Sequence, residues 1–131
     1  VRCRIDYNAH QTQISYLEYT PKTHRVFKPI VCNEIDYSIK YADRELINTL
    51  FAQKGEADEI IIIKDSFVTD CSIGNLAFRK GTEWFTPNTP LLKGTQREYL
   101  LQSGQLQEIE IRQEQLEQFD EIRVINALNE L

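Results

Sequence analysis

The alternation of apolar and polar residues predicts a chain built largely from β-hairpins. Alternating positions are typical of strands with one buried face, and short polar turns between them predict pairing of neighbouring strands. One continuous apolar run, at 60–63, has the length of a strand buried on both faces. Residues 21–29 read as an irregular connection. The predicted strands are 1–7, 13–19, 30–32, 59–64, 67–70, 75–78, 83–86, 106–111 and 122–125.

Two helices are predicted between these strands, at 36–54 and 95–103. The first carries one apolar stripe at helical spacing, formed by Ile39, Ala42, Leu46 and Leu50. Gly55 and Gly104 follow the two helices, where a left-handed residue commonly ends a helix. A shorter helical turn is predicted at 113–119. Strands and helices that interleave in this way predict a mixed α/β fold with largely antiparallel pairing.

Composition narrows the possible partners. The chain has 131 residues and a formal net charge of −5, which disfavours nucleic acid as the main partner. No apolar run approaches the roughly 20 residues of a membrane span. The cysteines Cys3, Cys32 and Cys71 are odd in number and form no CxxC pair, which favours a reducing cytoplasmic compartment and gives no metal site.

Three features in a fixed order point to one cofactor. Lys40 lies near the start of the first helix, Asp70 ends a strand, and the residues 94–97, Gly-Thr-Gln-Arg, open the second helix. A lysine amine can form a Schiff base with an aldehyde, and a carboxylate can keep a pyridine nitrogen protonated. The free N–H groups of a helix N-terminus bind phosphate. Pyridoxal phosphate (PLP) carries an aldehyde, a pyridine nitrogen and a phosphate.

Each feature alone also has a simpler interpretation. Most lysines are exposed, and an aspartate in a polar turn can bond to its own backbone. Thr95 can act as a helix N-cap, with Arg97 as a solvated charge. A group of acidic residues is interpreted in the same way, as a solvated face: Glu108, Glu110, Glu114 and Glu117.

The order and spacing of the motifs resemble the class IV aminotransferases, which are fold-type IV PLP enzymes. The matching stretches are 36–44, 58–63, 68–76, 84–87, 94–97 and 125–128. Within that family the nearest resemblance is to aminodeoxychorismate lyase. The resemblance implies that 30–131 forms the C-terminal, PLP-binding domain of the D-amino-acid aminotransferase-like fold. It also implies that 1–29 is the remnant of an N-terminal domain, and we expect further sequence upstream of Val1.

The resemblance implies three contacts with the ring of the cofactor. Lys40 would be the Schiff-base lysine and would move the α-proton of the substrate. Asp70 would pair with the pyridine nitrogen, at a position where the family usually has Glu. Leu92 would pack against one ring face. A second departure from the family is Ser66, which stands where the turn usually has Gly, so we expect strain there.

The phosphate group is implied to lie between two backbone segments. Thr95 and Gln96 would offer amides from the helix start, and Asn126 and Ala127 would complete the cup from the end of the last strand. Three further residues would give structural support: Arg44, Asn75 and Gly94.

The function implied by the resemblance is conversion of 4-amino-4-deoxychorismate to 4-aminobenzoate and pyruvate, a step of folate biosynthesis. One alternative is a branched-chain or D-amino-acid aminotransferase that uses the same residues. Another is a non-catalytic structural domain that lacks the N-terminal domain. The implied partners are a small amino-acid-like substrate and a second copy of the protein, with no nucleic acid and no membrane.

Overall fold

The computed structural model describes residues 2–7, 12–17, 25–35, 44–127 and 131. Lys40 and the predicted first turns of the first helix therefore lie outside the described residues. The first two strands, β1 (Arg2–Tyr7) and β2 (Thr12–Leu17), pair antiparallel in a two-stranded sheet. This pairing confirms the hairpin predicted near the start of the chain.

A three-stranded sheet follows, in the order β3-β4-β5. It consists of β3 (Phe27–Val31), β4 (Glu59–Lys64) and β5 (Phe67–Val68), with β3 parallel and β5 antiparallel to β4. The prediction of an irregular connection through residue 29 was wrong, because β3 begins at Phe27 and includes Pro29. An edge strand tolerates proline because only one of its sides must pair. The strand also spans the boundary predicted between residues 29 and 30.

The parallel connection from β3 to β4 contains the first helix. This helix, α1, spans Arg44–Phe51 and continues as a 3-10 helix over Ala52–Lys54. Its buried residues Ile47 and Leu50 pack in one apolar cluster with Ile60 and Ile62 of β4. The predicted helix end is confirmed by Gly55, whose φ is +61°.

A four-stranded sheet completes the described fold, with its strands in the order β8-β7-β6-β9. They are β6 (Asn75–Lys80), β7 (Glu83–Pro87), β8 (Gln107–Ile109) and β9 (Glu121–Ile125). The β7–β8 pair is parallel, whereas β6 pairs antiparallel with both β7 and β9. The mixed α/β class with largely antiparallel pairing is therefore confirmed.

The main core lies between the three-stranded sheet and the four-stranded sheet. Ile61 and Ile63 of β4 face it, opposite to the α1 side, and meet Leu76 and Phe78 of β6. The apolar run of β4 is explained because its two faces are buried in different clusters. The second helix, α2 (Thr95–Gln102), covers the other face of the four-stranded sheet, where Leu100 packs with Ala77 and Ile125.

The turn between β4 and β5 carries the backbone strain expected from its sequence. Asp65 has a φ of +53° and Ser66 has a φ of +74°. Two consecutive residues with positive φ are typical of the tight turns that join antiparallel strands, and glycine adopts that conformation more easily than serine. Within the described part of the chain, neither helix is long and apolar enough to cross a membrane.

Candidate cofactor site

Nine of the ten residues predicted for the site line one cavity of about 140 Å³. The cavity lies where the turn at 71–74, the start of α2 and the end of β9 come together. The pairing of Asn75 with Ile125 places the start of β6 beside the end of β9 and so joins two of these walls. The nine lining residues are Arg44, Asp70, Asn75, Leu92, Gly94, Thr95, Gln96, Asn126 and Ala127. The tenth, Lys40, lies outside the described residues.

Asp70 is a buried carboxylate, only 5% exposed, held by three hydrogen bonds. Its Oδ1 accepts from Asn75 Nδ2 at 2.8 Å, and its Oδ2 accepts from the backbone N–H groups of Leu91 at 2.9 Å and Leu92 at 3.1 Å. Burial raises the pKa of Asp70 to about 6, and these hydrogen bonds and the charge of Arg97 oppose the rise. A carboxylate offers about four acceptor positions, so one on Oδ1 remains for a further donor.

Asn75 joins the Asp70 carboxylate to the segment before α2. Its Nδ2 also donates to Leu92 O at 2.7 Å, and its Oδ1 accepts from the N–H of Gly94 at 3.0 Å. A Cβ on Gly94 would lie 2.5 Å from that Oδ1. This position therefore requires glycine because of close approach rather than because of its φ, which is −68°.

The start of α2 presents free backbone amides to the cavity. The first hydrogen bond within the helix runs from Glu98 N–H to Gly94 O, at 3.1 Å. The amides of Thr95 and Gln96 therefore precede the hydrogen-bonded turns. Gly94 occupies the N-cap position and no side chain caps the helix. The interpretation of Thr95 as an N-cap was thus wrong, because Thr95 is already the first helical residue.

The end of β9 closes the opposite side of the cavity. Asn126 donates from Nδ2 to Ile73 O at 3.0 Å, which ties the residue after β9 to the turn at 71–74. A Cβ on Gly74 would lie 2.7 Å from Ile125 O, so the two backbones pass in close contact. Asn126 and Ala127 thereby line the same cavity as Thr95 and Gln96 at the start of α2.

A second buried carboxylate, Glu59, accepts hydrogen bonds from the turn at 71–74. It is 1% exposed and accepts from Ser72 N–H at 3.2 Å and from Ser72 Oγ at 2.8 Å. Ser72 O in turn accepts from Arg44 Nη1 at 2.7 Å. Glu59 was not predicted as part of the site, since a charged residue at the first position of an apolar strand usually lies at the exposed strand end.

Arg97 is buried, and its interpretation as a solvated charge was wrong. Its Nη1 donates to Glu98 Oε1 at 2.8 Å, its Nη2 donates to Pro87 O at 3.2 Å, and the same Nη2 pairs with Glu108. Glu108 is correspondingly not part of a purely solvated face. These contacts fasten the first turn of α2 to β7 and β8.

Cys71 lines the same cavity as a buried thiol. Burial, with a smaller contribution from the nearby Glu59 carboxylate, raises the pKa of this thiol above its usual range. Its Sγ lies 3.2 Å from Gly74 O and acts as the donor. The thiol is therefore neutral at physiological pH and serves the turn as a packing group.

The chemistry of the cavity fits PLP at two of that cofactor's three functional groups. Asp70 offers an acceptor for a protonated pyridine nitrogen, and the amides of Thr95 and Gln96 offer donors at the positive end of a helix dipole for a phosphate. Leu91, Leu92 and Ile125 give apolar surface for the faces of a ring. The third group, the aldehyde, is the expected partner of Lys40.

Comparison with known proteins agrees with this geometry. The chain is 63% identical over its whole length to an uncharacterized protein of Haemophilus influenzae and spans 70% of that protein. It is 53% identical, with a TM-score of 0.91, to a crystal structure from Haemophilus somnus that is provisionally named a 4-amino-4-deoxychorismate lyase. The match covers 98% of this chain and 66% of that one, so this chain spans slightly less than two thirds of its solved relative.

A more distant structure shares the fold. It is an aminotransferase from Brucella abortus, crystallised with the cofactor PLP, which matches with a TM-score of 0.69 at 13% identity. The match covers 89% of this chain and 48% of the Brucella chain. The sequence model described as amino-transferase class IV matches residues 38–131, which include the predicted Lys40 and all nine described site residues. The chain therefore belongs to the class IV aminotransferase family.

Proposed function

We propose that the full-length protein containing this chain is a PLP-dependent 4-amino-4-deoxychorismate lyase, which releases 4-aminobenzoate and pyruvate. The observation that carries the proposal is the convergence of Asp70, the N-terminus of α2 and the end of β9 on one cavity. These elements come from three separate parts of the chain. A purely structural role for any one of them would not require the others to share a cavity.

Asp70 would hold the pyridine nitrogen of the cofactor. PLP, when bound, supplies an electron sink for the carbanion that forms at the substrate Cα. The ionised carboxylate would keep the ring nitrogen protonated and so strengthen that sink. Asn75 orients this carboxylate, because its amide bonds to Asp70 Oδ1 and to Leu92 O at the same time.

The phosphate would be held by backbone groups. Thr95 and Gln96 supply amides at the positive end of the α2 dipole, and Asn126 and Ala127 lie along the same cavity. The contacts of Arg97 with Pro87 O and Glu108 hold the first turn of α2 against β7 and β8.

Lys40 would be the Schiff-base lysine and the acid and base of the reaction. An amine in this role must lose its proton, and burial close to a cationic ring lowers its pKa. The expected position of Lys40 is four residues before Arg44, whose side chain reaches the cavity. The amine could then take the α-proton and later return a proton to the departing fragment.

The lyase is preferred to an aminotransferase because the solved relative with 53% identity carries the lyase name. An aminotransferase would use the same residues but would need a keto acid as a second substrate. A structural domain without catalysis would bind no cofactor. The three hypotheses therefore differ in substrate requirement: the lyase needs one substrate, the aminotransferase needs a keto acid as well, and the structural domain needs none.

Further features of the whole protein are part of the proposal. We expect a homodimer that acts on a small amino-acid-like substrate in folate biosynthesis, without nucleic acid or membrane. A cytoplasmic location is supported by Cys32 and Cys71, which are buried free thiols. Analytical ultracentrifugation of the full-length protein would measure the assembly directly.

The test is a product assay with the full-length protein, PLP and 4-amino-4-deoxychorismate. We expect equal amounts of 4-aminobenzoate and pyruvate when no keto acid is added. Product formation that depends strictly on a keto-acid acceptor would instead assign transamination. An absence of both activities, with PLP bound, would reject the lyase.

A further inference from the structure

We infer that Arg44 binds a carboxylate of the substrate, and that Ser72 and Glu59 are the residues that position it. The inference deepens the proposed function and rests on it. It assigns to Arg44 a direct contact with substrate rather than the supporting role implied by the family resemblance.

Arg44 is the first residue of α1, is exposed, and lines the cavity. Of the described residues around the cavity, Arg44 alone carries a positive charge. Its Nη1 donates to Ser72 O at 2.7 Å, and among the described contacts Arg44 makes no ion pair. The Nε and Nη2 donors therefore remain for a ligand, in the planar arrangement that matches the two oxygens of a carboxylate.

Ser72 fixes one corner of this guanidinium. Its carbonyl accepts from Arg44, while its N–H and its hydroxyl both donate to the Glu59 carboxylate. Ser72 is 5% exposed and Glu59 is 1% exposed, so water does not compete for these bonds. The backbone N–H of Ile60 donates to the same Glu59 carboxylate at 2.9 Å.

This arrangement explains why a charged residue is buried in β4. A buried carboxylate is costly unless several donors satisfy it, and Glu59 has three. A neutral side chain could have filled the same volume without that cost. The acidic group instead holds the two donors of Ser72, and so fixes the direction of the carbonyl that Arg44 uses.

A carboxylate is the favoured occupant because the cavity already has separate donors for a phosphate. The amides at the start of α2 precede the hydrogen-bonded turns and lie at the positive end of the helix. The phosphate of bound PLP would bring negative charge into the same cavity, beyond what the pairing of Asp70 with the ring nitrogen offsets, and this charge opposes an anionic substrate. A cation is needed to offset that repulsion, and Arg44 supplies it.

The test measures binding of the two product halves to the full-length, PLP-loaded protein by calorimetry. The probes are 4-aminobenzoate and pyruvate, each compared with its uncharged amide, 4-aminobenzamide and pyruvamide. We expect Arg44→Met to lower the affinity for one of the two carboxylate probes by about 10- to 100-fold. This is the size expected for the loss of charge-assisted hydrogen bonds. Affinity for the two amides should stay within about twofold because they carry no charge. Affinity for PLP should also stay within about twofold, because its phosphate has separate donors at the start of α2.

Two controls make the result specific. Arg44→Lys keeps the positive charge but loses the planar guanidinium that can bond to both carboxylate oxygens. It should therefore bind the carboxylate probe more tightly than Arg44→Met and less tightly than the unmodified protein. Lys93→Met removes an exposed positive charge next to the cavity, from a residue that does not line it, and should change nothing. Ser72→Ala should raise the substrate KM about three- to tenfold while kcat stays nearly unchanged, because it loosens a binding residue.

Three outcomes would overturn the inference. An equal loss of PLP affinity in Arg44→Met would assign Arg44 to the phosphate. Unchanged binding of both carboxylates would remove any role in substrate recognition. A Ser72→Ala variant with lower kcat and unchanged KM would reject the positioning role. Failure of the unmodified protein to bind PLP would reject the proposed function as well, and so differs from failure of the inference alone.

Discussion

Asn75 Nδ2 donates a hydrogen bond to Asp70 Oδ1 over 2.8 Å, and both side chains are buried. The bond spans the turn at 71–74, whose other contacts lead to Glu59, Arg44 and β9. The same Asn75 side chain bonds to Leu92 O and to Gly94 N–H. One amide thus sets the position of the carboxylate and of the segment that leads into α2.

Asn75→Ala should destabilise the chain strongly. It leaves Asp70 Oδ1, Leu92 O and Gly94 N–H without their partner in a buried place, which should lower the free energy of unfolding by about 2–4 kcal/mol. Urea unfolding followed by circular dichroism measures the change. Asn88→Ala is the matched control, because Asn88 is exposed and should change stability by less than about 0.5 kcal/mol. Equal effects at the two sites would contradict the role given to Asn75.

Gly94→Ala should disturb the cavity through steric contact. The new Cβ would lie 2.5 Å from Asn75 Oδ1, and that side chain is held by three hydrogen bonds. We expect a loss of about 1–3 kcal/mol in stability and a weaker affinity for PLP. Thermal unfolding with and without PLP gives both quantities. Lys93→Ala, one residue earlier and exposed, should leave both unchanged, and a neutral Gly94→Ala would disprove the close approach.

The raised pKa of Asp70 makes a specific contribution to stability. The pKa of Asp70 is about 6 in the folded chain, compared with an ordinary value of 3.8 for an unfolded chain. The folded state therefore binds the proton more tightly than the unfolded state does. The contribution is fully present below the ordinary pKa and is lost as pH rises through about 6. Relative to Asp70→Asn, the wild type should lose about 2 kcal/mol between roughly pH 4.5 and pH 7.5.

The Asp70 prediction is checked by urea unfolding of both proteins across that pH range. Only the pH-dependent part of the difference is diagnostic, because Asp70→Asn also alters the hydrogen bonds to Asn75 and Leu92. A constant difference would show that Asp70 titrates normally. A difference that grows in favour of the wild type with rising pH would show a lowered pKa.

Ser66→Gly should stabilise the chain. Ser66 has a φ of +74°, which costs an L-residue free energy that glycine does not lose. The expected gain is about 0.5–1 kcal/mol in the free energy of unfolding. Thr82→Gly is a useful comparison, because Thr82 is an exposed turn residue without positive φ. The free energy of unfolding of this variant should be lower than that of the wild type or unchanged. A loss of stability in Ser66→Gly would mean that the serine makes a favourable contact.

Sequence pattern was sufficient for most of the strands and for the described part of each helix, because these segments carry an alternating, helical or continuous apolar pattern. The apolar run of β4 and the glycine after the first helix are local signals, and both predictions were confirmed. The strand β3 was predicted too short because it contains Pro29, and proline usually interrupts a strand. The pairing that tolerates it depends on β3 being an edge, which is a property of the whole sheet.

Side-chain contacts across long separations could not be predicted from spacing. Arg97 gave no local sign of burial, since the two contacts that tie it to the sheet, with Pro87 O and Glu108, come from residues 10 and 11 positions away. Glu59 and Ser72 meet only after β4 and the turn at 71–74 are packed together. Charged residues of this kind look exposed in a sequence, because burial depends on partners that tertiary structure brings near.

The measurement that tests the central claim most directly is borohydride reduction of the full-length protein after incubation with PLP. The unmodified protein should show a visible absorption band that borohydride removes, and mass spectrometry should place the reduced cofactor on Lys40. Lys40→Ala should show neither band nor adduct, while Lys93→Ala should show both. Attachment at another lysine, or a band that persists in Lys40→Ala, would contradict the account.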